Sequence, residues 1–137
     1  MEKITLSIFV PCFNEENNIS KTLSFIKESV QNISYEILVV DDASEDKTIE
    51  MVEKFKKNNP NANIKIFHNK NNRGIGFNFW ETAHKALGKY YMTVSGDACL
   101  PPSEIKKIVN NIGKADMILT YLIDTRRVFR RTLSRVF

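Results

Sequence analysis

A chain of 137 residues, 42% hydrophobic and 26% charged, is long enough for one domain with a buried core. It contains no apolar stretch near the ~20 residues that span a bilayer, and Met1-Glu2-Lys3-Ile4 lacks the basic region and apolar core of a signal peptide, so the cytoplasm is the expected compartment. The net charge of +4 is confined to the end: residues 1–121 balance fifteen basic against fifteen acidic side chains, whereas residues 122–137 set Arg126, Arg127, Arg130, Arg131 and Arg135 against Asp124 alone, which argues against a nucleic-acid-binding face spread over the domain.

The first expected strand is Leu6-Ser7-Ile8-Phe9-Val10, stopped by Pro11. A polar loop, residues 12–18, leads into a helix whose buried face is Ile19, Leu23, Ile26 and Val30, at spacings of four, three and four. The second strand carries the continuous apolar run Ile37-Leu38-Val39-Val40, the pattern of a strand buried on both faces, and ends abruptly in Asp41-Asp42. Ser44 or Asp46 is the expected cap of the next helix, marked by Ile49, Met51, Val52 and Phe55 and ended by Asn58-Asn59-Pro60-Asn61. Ile64-Lys65-Ile66-Phe67 is a third strand, followed by a polar, glycine-bearing loop over residues 68–76. Phe79, Ala83 and Ala86 line a helix that stops at Gly88, and residues 90–94 form a fourth strand before Ser95-Gly96-Asp97. Pro101-Pro102-Ser103-Glu104 opens another helix with Ser103 as its cap, Ile105, Ile108, Val109 and Ile112 as its buried face and Gly113 as its end. Residues 117–120 read as a fifth strand, and the basic tail as a helix.

Strands alternating with helices of this length imply a three-layer α/β/α sandwich with a mainly parallel, Rossmann-like sheet joined by right-handed crossovers. The division expected is a core at 1–121 and a tail at 122–137. Three polar clusters then fall at strand carboxyl ends, where open α/β sheets bind ligands: residues 11–15, Asp41-Asp42, and Ser95-Gly96-Asp97. Carboxylates reach a nucleoside diphosphate through a bridging divalent cation, or by accepting hydrogen bonds from a base or ribose. Arg73, in Asn72-Arg73-Gly74, offers a cation for the diphosphate. The Gly-x-Gly of that loop is too short for a dinucleotide fingerprint, and no Walker lysine pattern accompanies it. Ser7, Ser20, Ser24 and Ser29 show no nucleophile elbow, Cys12 and Cys99 lack zinc or redox spacing, His68 and His84 read as surface or packing residues, and Phe77, Phe79 and Trp80 as core or interface.

The order of these clusters resembles the family-2 glycosyltransferases of the GT-A fold. Val10-Pro11-Cys12-Phe13-Asn14-Glu15-Glu16 is similar to that family's first-strand motif, with Phe13 where tyrosine is common, and Val39-Val40-Asp41-Asp42-Ala43-Ser44 to its second. Asn72-Arg73-Gly74 followed by Ala86-Leu87-Gly88-Lys89-Tyr90 resembles its loop, helix and strand entry, and Ser95-Gly96-Asp97 stands where the family keeps a metal-binding Asp-x-Asp. The branch most resembled transfers sugars to polyprenyl (dolichol-type) phosphates, and the tail arginines are similar to it too. The resemblance implies a glycosyltransferase that uses a UDP- or GDP-linked sugar. It implies that Pro11, Phe13 and Glu15 border the nucleoside, that Asp41 and Asp42 contact base or ribose, that Arg73 and Gly74 belong to the donor site, and that Asp97, with Ser95 as a weaker helper, holds Mg²⁺ or Mn²⁺ as the residue central to catalysis.

Two departures shape the expectation. Ser95 replaces the first aspartate of Asp-x-Asp and brings no charge. Such enzymes also run well past residue 137, so the expected object is a donor-binding domain, with a truncated or catalytically silent nucleotide-sugar-binding module as the alternative. A nucleotidyltransferase, the second alternative, would show a glycine-rich basic loop after the first strand, where Pro11-Cys12-Phe13-Asn14-Glu15 stands. On a helical tail, Arg127 and Arg131 share a face with Arg135 and Arg130 lies beside them, suiting an acceptor phosphate or an anionic membrane surface; the competing reading packs Phe129 and Leu133 on the sheet. The expected location is thus cytoplasmic and peripheral to the membrane.

Overall fold

A computed structural model describes residues 3–120. Four strands, β1 (Leu6–Cys12), β2 (Tyr35–Asp41), β3 (Ile64–His68) and β4 (Tyr90–Thr93), form one sheet, all neighbours parallel, in the order β3-β2-β1-β4. The helices are α1 (Ile19–Ser29), α2 (Thr48–Asn58), α3 (Ile75–Ala83) and α4 (Pro102–Val109). The sheet is built outward from β1, first to β2 and β3 and then back to β4 on the other side. The direction of winding therefore reverses between β1 and β4, which places a crevice at their carboxyl ends.

Alternation along β1 and β2 sorts their side chains between two cores. Leu6, Ile8, Val10, Ile37 and Val39 pack with Ile19, Leu23, Ile26, Val52 and Ile105 from α1, α2 and α4. Phe9 points the other way, its ring centroid 6.1 Å from Phe79 of α3 and 6.3 Å from Tyr91. Both central strands are therefore buried on both faces, as the unbroken apolar run of β2 requires. No helix among the described residues is long and apolar enough to cross a membrane.

Several boundaries differ from the sequence expectation. Pro11 does not end β1: its carbonyl still accepts the Gly96 N–H at 3.0 Å, and the strand runs on to Cys12. α3 stops at Ala83 rather than near Gly88. Gly88 is needed instead for close approach, because a Cβ there would lie 2.5 Å from the Ser7 nitrogen and 2.8 Å from the Leu6 carbonyl carbon. Gly88→Ala is expected to cost about 2 kcal/mol, read as a lower midpoint of denaturant unfolding at unchanged slope. Ser103 lies inside α4, whose cap is Pro101. Ser44 turns back to Asp41, and Asp46 accepts the Thr48 N–H at 2.9 Å one residue after the assigned cap, Lys47. Residues 117–120 form no strand: they make no ladder with β4, with which they line one hollow, and nothing covers Met117 and Leu119, which stay exposed among the described residues. Arg127, Arg130 and Arg131, with the rest of the tail, lie outside the described residues.

A buried polar knot closes the amino end of the sheet. Glu36, fully buried, accepts hydrogen bonds from the Ser7 hydroxyl at 2.6 Å, Lys65 Nζ at 2.8 Å and the Leu87 N–H at 2.6 Å. Burial opposes its charge, but these donors together hold the carboxyl below the ordinary range.

Candidate functional site

The loops that follow β1 and β2 are stitched to each other. Asn14, at φ 55°, donates its N–H to the Ser44 hydroxyl at 2.9 Å, and its side-chain oxygen accepts the Glu45 N–H at 2.9 Å. The Glu15 N–H reaches the Thr48 hydroxyl at 2.7 Å, the Glu16 N–H reaches Asp46 at 3.0 Å, and the Glu16 carboxylate takes the Lys47 N–H at 3.0 Å. The Glu15 carboxylate accepts the Asn18 amide at 2.9 Å. These reciprocal bonds satisfy backbone groups that the turn leaves free, so the edge is held as one rigid rim.

The two aspartates have different surroundings. Asp41, the last residue of β2, is fully buried and accepts His68 Nδ1 at 2.7 Å, the Ser44 N–H at 3.1 Å and the Ser44 hydroxyl. Asp42 accepts the Asn69 amide, the Arg73 N–H and the Gly74 N–H, each at 2.8 Å, and so ties the loop before α3 to the end of β2. Burial works against its charge, but the Arg73 N–H, Asn69 and the Gly74 N–H outweigh it and hold the carboxyl below the usual range. A carboxyl depressed by folding adds stability above its ordinary titration range and loses it as pH falls through the lower, folded range. Asp42→Asn is therefore expected to cost about 2 kcal/mol at neutral pH and to flatten the acid limb of a stability–pH profile, which denaturant melts at successive pH values measure.

Asp97 stands on the far side of β1. The sheet pairing continues past β4, with the Val94 N–H on the Phe9 carbonyl at 2.9 Å and the Gly96 N–H on the Pro11 carbonyl at 3.0 Å. Gly96 packs so tightly that a Cβ would meet Cys12 Cβ and the Pro11 oxygen, each at 3.0 Å. Ala98 then turns at φ 56°, leaving Asp97 exposed at the edge. Hydrogen bonds from the Cys99 thiol and N–H and from Ser95 keep the Asp97 carboxyl below its ordinary range, against the pull of partial burial. Thr22 of α1, fully within the core, holds this turn: its hydroxyl donates to the Gly96 carbonyl at 2.9 Å and accepts the Ala98 N–H at 2.9 Å.

A cleft of about 430 Å³, in the size range of ligand pockets, opens between these loops and is lined by Phe13, Ala43, Ser44, His68 and Asn69 among others. Phe13 is 48% exposed there. Asp41 and Asp42 lie under the loops around the cleft, Pro11 sits half-buried in β1, and Glu15, Arg73 and Asp97 are outside the lining. The Arg73 guanidinium rests 3.3 Å from the centroid of the Phe77 ring, and Gly74, at φ 82°, precedes α3. A larger hollow of about 600 Å³ follows the outer edge of β4, but its lining is mostly apolar and takes in none of residues 11–15, 41–48 or 95–99. Burial, with Asp41 and Glu15 nearby, pushes the Cys12 thiol up, so it is no nucleophile at neutral pH. The sequence passes over Asn69 and Thr22 and presents His68 as a surface or packing residue; its place at the carboxyl end of the third strand is the one signal that it lines the cleft.

The sequence and the fold are both matched by known proteins. Residues 7–135 fit the description "Glycosyl transferase family 2". The chain belongs to that family. The dolichyl-phosphate beta-glucosyltransferase of Dictyostelium discoideum is 27% identical over 150 residues, which take in 98% of this chain and 46% of that protein. The fold is that of GT-A glycosyltransferases. A mannosyltransferase from Pyrobaculum calidifontis, solved with GDP-Man and Mn²⁺, superposes with a TM-score of 0.64 at 23% identity, over 71% of this chain and 28% of that one. Glucosyl-3-phosphoglycerate synthase from Mycobacterium tuberculosis, solved with Mn²⁺, UDP and phosphoglyceric acid, gives 0.70 at 18% identity, over 97% and 49%. The family-2 chain thus spans about half the length of the Dictyostelium relative or less of such proteins.

Proposed function

We propose that this family-2 chain is the donor-binding domain of a glycosyltransferase that takes a sugar from a UDP- or GDP-linked donor. The observation that carries the reading is the gathering of the loops after β1, β2 and β3 around one cleft at the carboxyl edge of the sheet, with Asp97 exposed at the same edge across β1 from it. In the reaction an acceptor oxygen bonds to the anomeric carbon while the bond to the diphosphate oxygen breaks, and the nucleoside diphosphate leaves with the electron pair. Phe13 and the loop after β3 border the nucleoside. Glu15 and Asp42 hold the rim in shape, and Arg73 is the cation nearest the loop's glycine. A polyprenyl phosphate is the acceptor we favour: the Dictyostelium relative is named for dolichyl phosphate, and a phosphate oxygen is already an anion that needs no general base.

Among the described residues no three His, Cys, Asp or Glu side chains form a metal cluster. The residues present fit a cation held chiefly by substrate, since Mg²⁺ commonly takes one or two carboxylates and completes its shell with phosphate oxygens and water. Asp97 would hold it, with Ser95 beside it, and the cation would neutralise charge on the departing diphosphate. Calorimetry of UDP and GDP with Mn²⁺ or Mg²⁺, and again with chelator, tests the reading. Tighter binding of either with metal supports it. Equal binding in both conditions removes the metal from it, and no binding of either nucleotide overturns it.

Arg127, Arg130 and Arg131 would meet the acceptor phosphate or an anionic membrane surface. Deleting residues 126–137 should abolish sedimentation with anionic vesicles and spare nucleotide binding. Equal sedimentation with and without the tail removes that assignment. The silent-module reading draws on Ser95, which brings no charge to the Asp-x-Asp position, and turnover of a nucleotide sugar by the intact gene product separates it from the enzyme.

A further inference from the structure

Asp41 sits at the second-strand position expected to contact the donor, yet it has no free surface in this fold: its side chain is fully buried, and Ser44 and His68 occupy its oxygens. What the cleft sees is His68. Its side chain is 53% exposed, closes β3, and lines the cleft with Phe13, Ala43 and Asn69. A carboxylate only accepts, so the 2.7 Å contact makes Nδ1 the donor. That bond fixes the ring's tautomer and orientation, the same service a carboxylate gives to catalytic and metal-binding imidazoles. In the neutral ring, Nε2 then carries a lone pair, and no hydrogen bond to it is made among the described residues. A fixed, half-exposed acceptor beside an exposed phenyl ring is suited to a flat heterocycle: the ring offers a face to stack on, and the acceptor reads its edge.

We propose that His68 is the base-reading residue of the cleft, its Nε2 accepting the ring N–H of a nucleobase that carries one, as uracil and guanine do. This rests on the donor-binding reading above. Cytosine and adenine present an acceptor at the corresponding ring nitrogen. Two lone pairs would then face each other in a partly desolvated site, and a site built to hydrogen-bond a group discriminates strongly against analogues that lack it. Asp41 acts behind His68 as a positioning residue.

Calorimetry on the full chain with Mn²⁺ tests this, using UDP, GDP, CDP, ADP and inorganic pyrophosphate. The chain should bind UDP or GDP at least about tenfold tighter than CDP and ADP, the loss of one good hydrogen bond. The preferred member of the first pair names the base. His68→Phe should bring all four nucleotides to within about twofold of one another while pyrophosphate binding, which needs no base, stays unchanged. The same diphosphate N-methylated at the ring N–H should lose that tenfold against the native chain and nothing against His68→Phe. This second arm also protects the test from a variant that does not fold. Should the native chain bind UDP or GDP but tolerate N-methylation, or should His68→Phe keep the preference, the inference falls and the donor reading stands. Should the native chain bind no nucleoside diphosphate, both fall together.

Discussion

Replacing Asp97 with asparagine is expected to erase the gain that Mn²⁺ gives to UDP or GDP binding, a loss of roughly tenfold or more in affinity, and to lower turnover by the intact gene product about a hundredfold. Asparagine keeps the size and the capacity to accept the Cys99 N–H, now at 3.1 Å, so the turn should persist and only the charge is removed. Asp97 is held where its charge counts. Gly96 lies against β1, Thr22 pins the turn, and the hydrogen bonds from Cys99 and Ser95 keep the carboxyl ionised below the ordinary range. Metal-dependent affinity should therefore persist on acidification until pH falls through that depressed range. Ser95→Asp should move binding the other way, since a second charge at a hard-cation site strengthens it. Calorimetric titration of the nucleotide with and without Mn²⁺, on both variants, measures the pair. Metal-dependent binding that survives in Asp97→Asn would take Asp97 out of the metal's coordination, and no gain in Ser95→Asp would mean that Ser95 faces elsewhere.

The fold was legible where burial dominates. β2 is announced by four apolar residues in a row because a strand covered on both faces has no solvent side to vary, and the same logic gives β1 and the α1 stripe of Ile19, Leu23 and Ile26. Legibility fails where one contact outweighs the local pattern. The spacing of Phe79, Ala83 and Ala86 continues a helix that the chain abandons at Ala83, because Gly88 must then press against Ser7 and the Leu87 N–H must reach Glu36. Residues 117–120 have a strand's composition, but a strand is defined by its partner and they make no ladder with β4. At the site, the sequence marks Asp41-Asp42 as a charged stop without saying which way each carboxylate turns. Strand alternation sends Asp41 to His68, 27 residues on, and the turn after it sends Asp42 to the Arg73 loop, 31 residues on. Pairings over such distances have no period to read. The same holds for Thr22, which sits one residue before Leu23 on the buried face of α1 and looks like an ordinary helix residue.

Thr22→Val should therefore show how far a core position controls the rim. Valine matches threonine in shape, so no cavity forms, but the hydroxyl that bridges the Gly96 carbonyl and the Ala98 N–H across 74 and 76 residues of sequence is gone. Gly96 is buried, so water has poor access to its carbonyl, while the half-exposed Ala98 N–H is within reach of solvent. A buried group left without a partner costs about 1–3 kcal/mol, so the change should lower stability by about 2–3 kcal/mol. The bridge also holds Ala98 in its left-handed turn at φ 56°, a conformation that a non-glycine residue adopts only when its surroundings enforce it. Once released, residues 96–98 should relax and carry Asp97 away from the crevice. Unfolding in denaturant would read the stability loss. Nucleotide titration with and without Mn²⁺, under conditions where the variant stays folded, would read the site. The expected pattern is a lost metal-dependent gain with metal-free affinity little changed, since Phe13 and the β3 loop are anchored elsewhere. Thr22→Ser, which keeps the hydroxyl, should restore the metal-dependent gain. A Thr22→Val chain that is less stable but keeps the full gain would confine Thr22 to the core and leave Asp97 held by Gly96, Cys99 and Ser95.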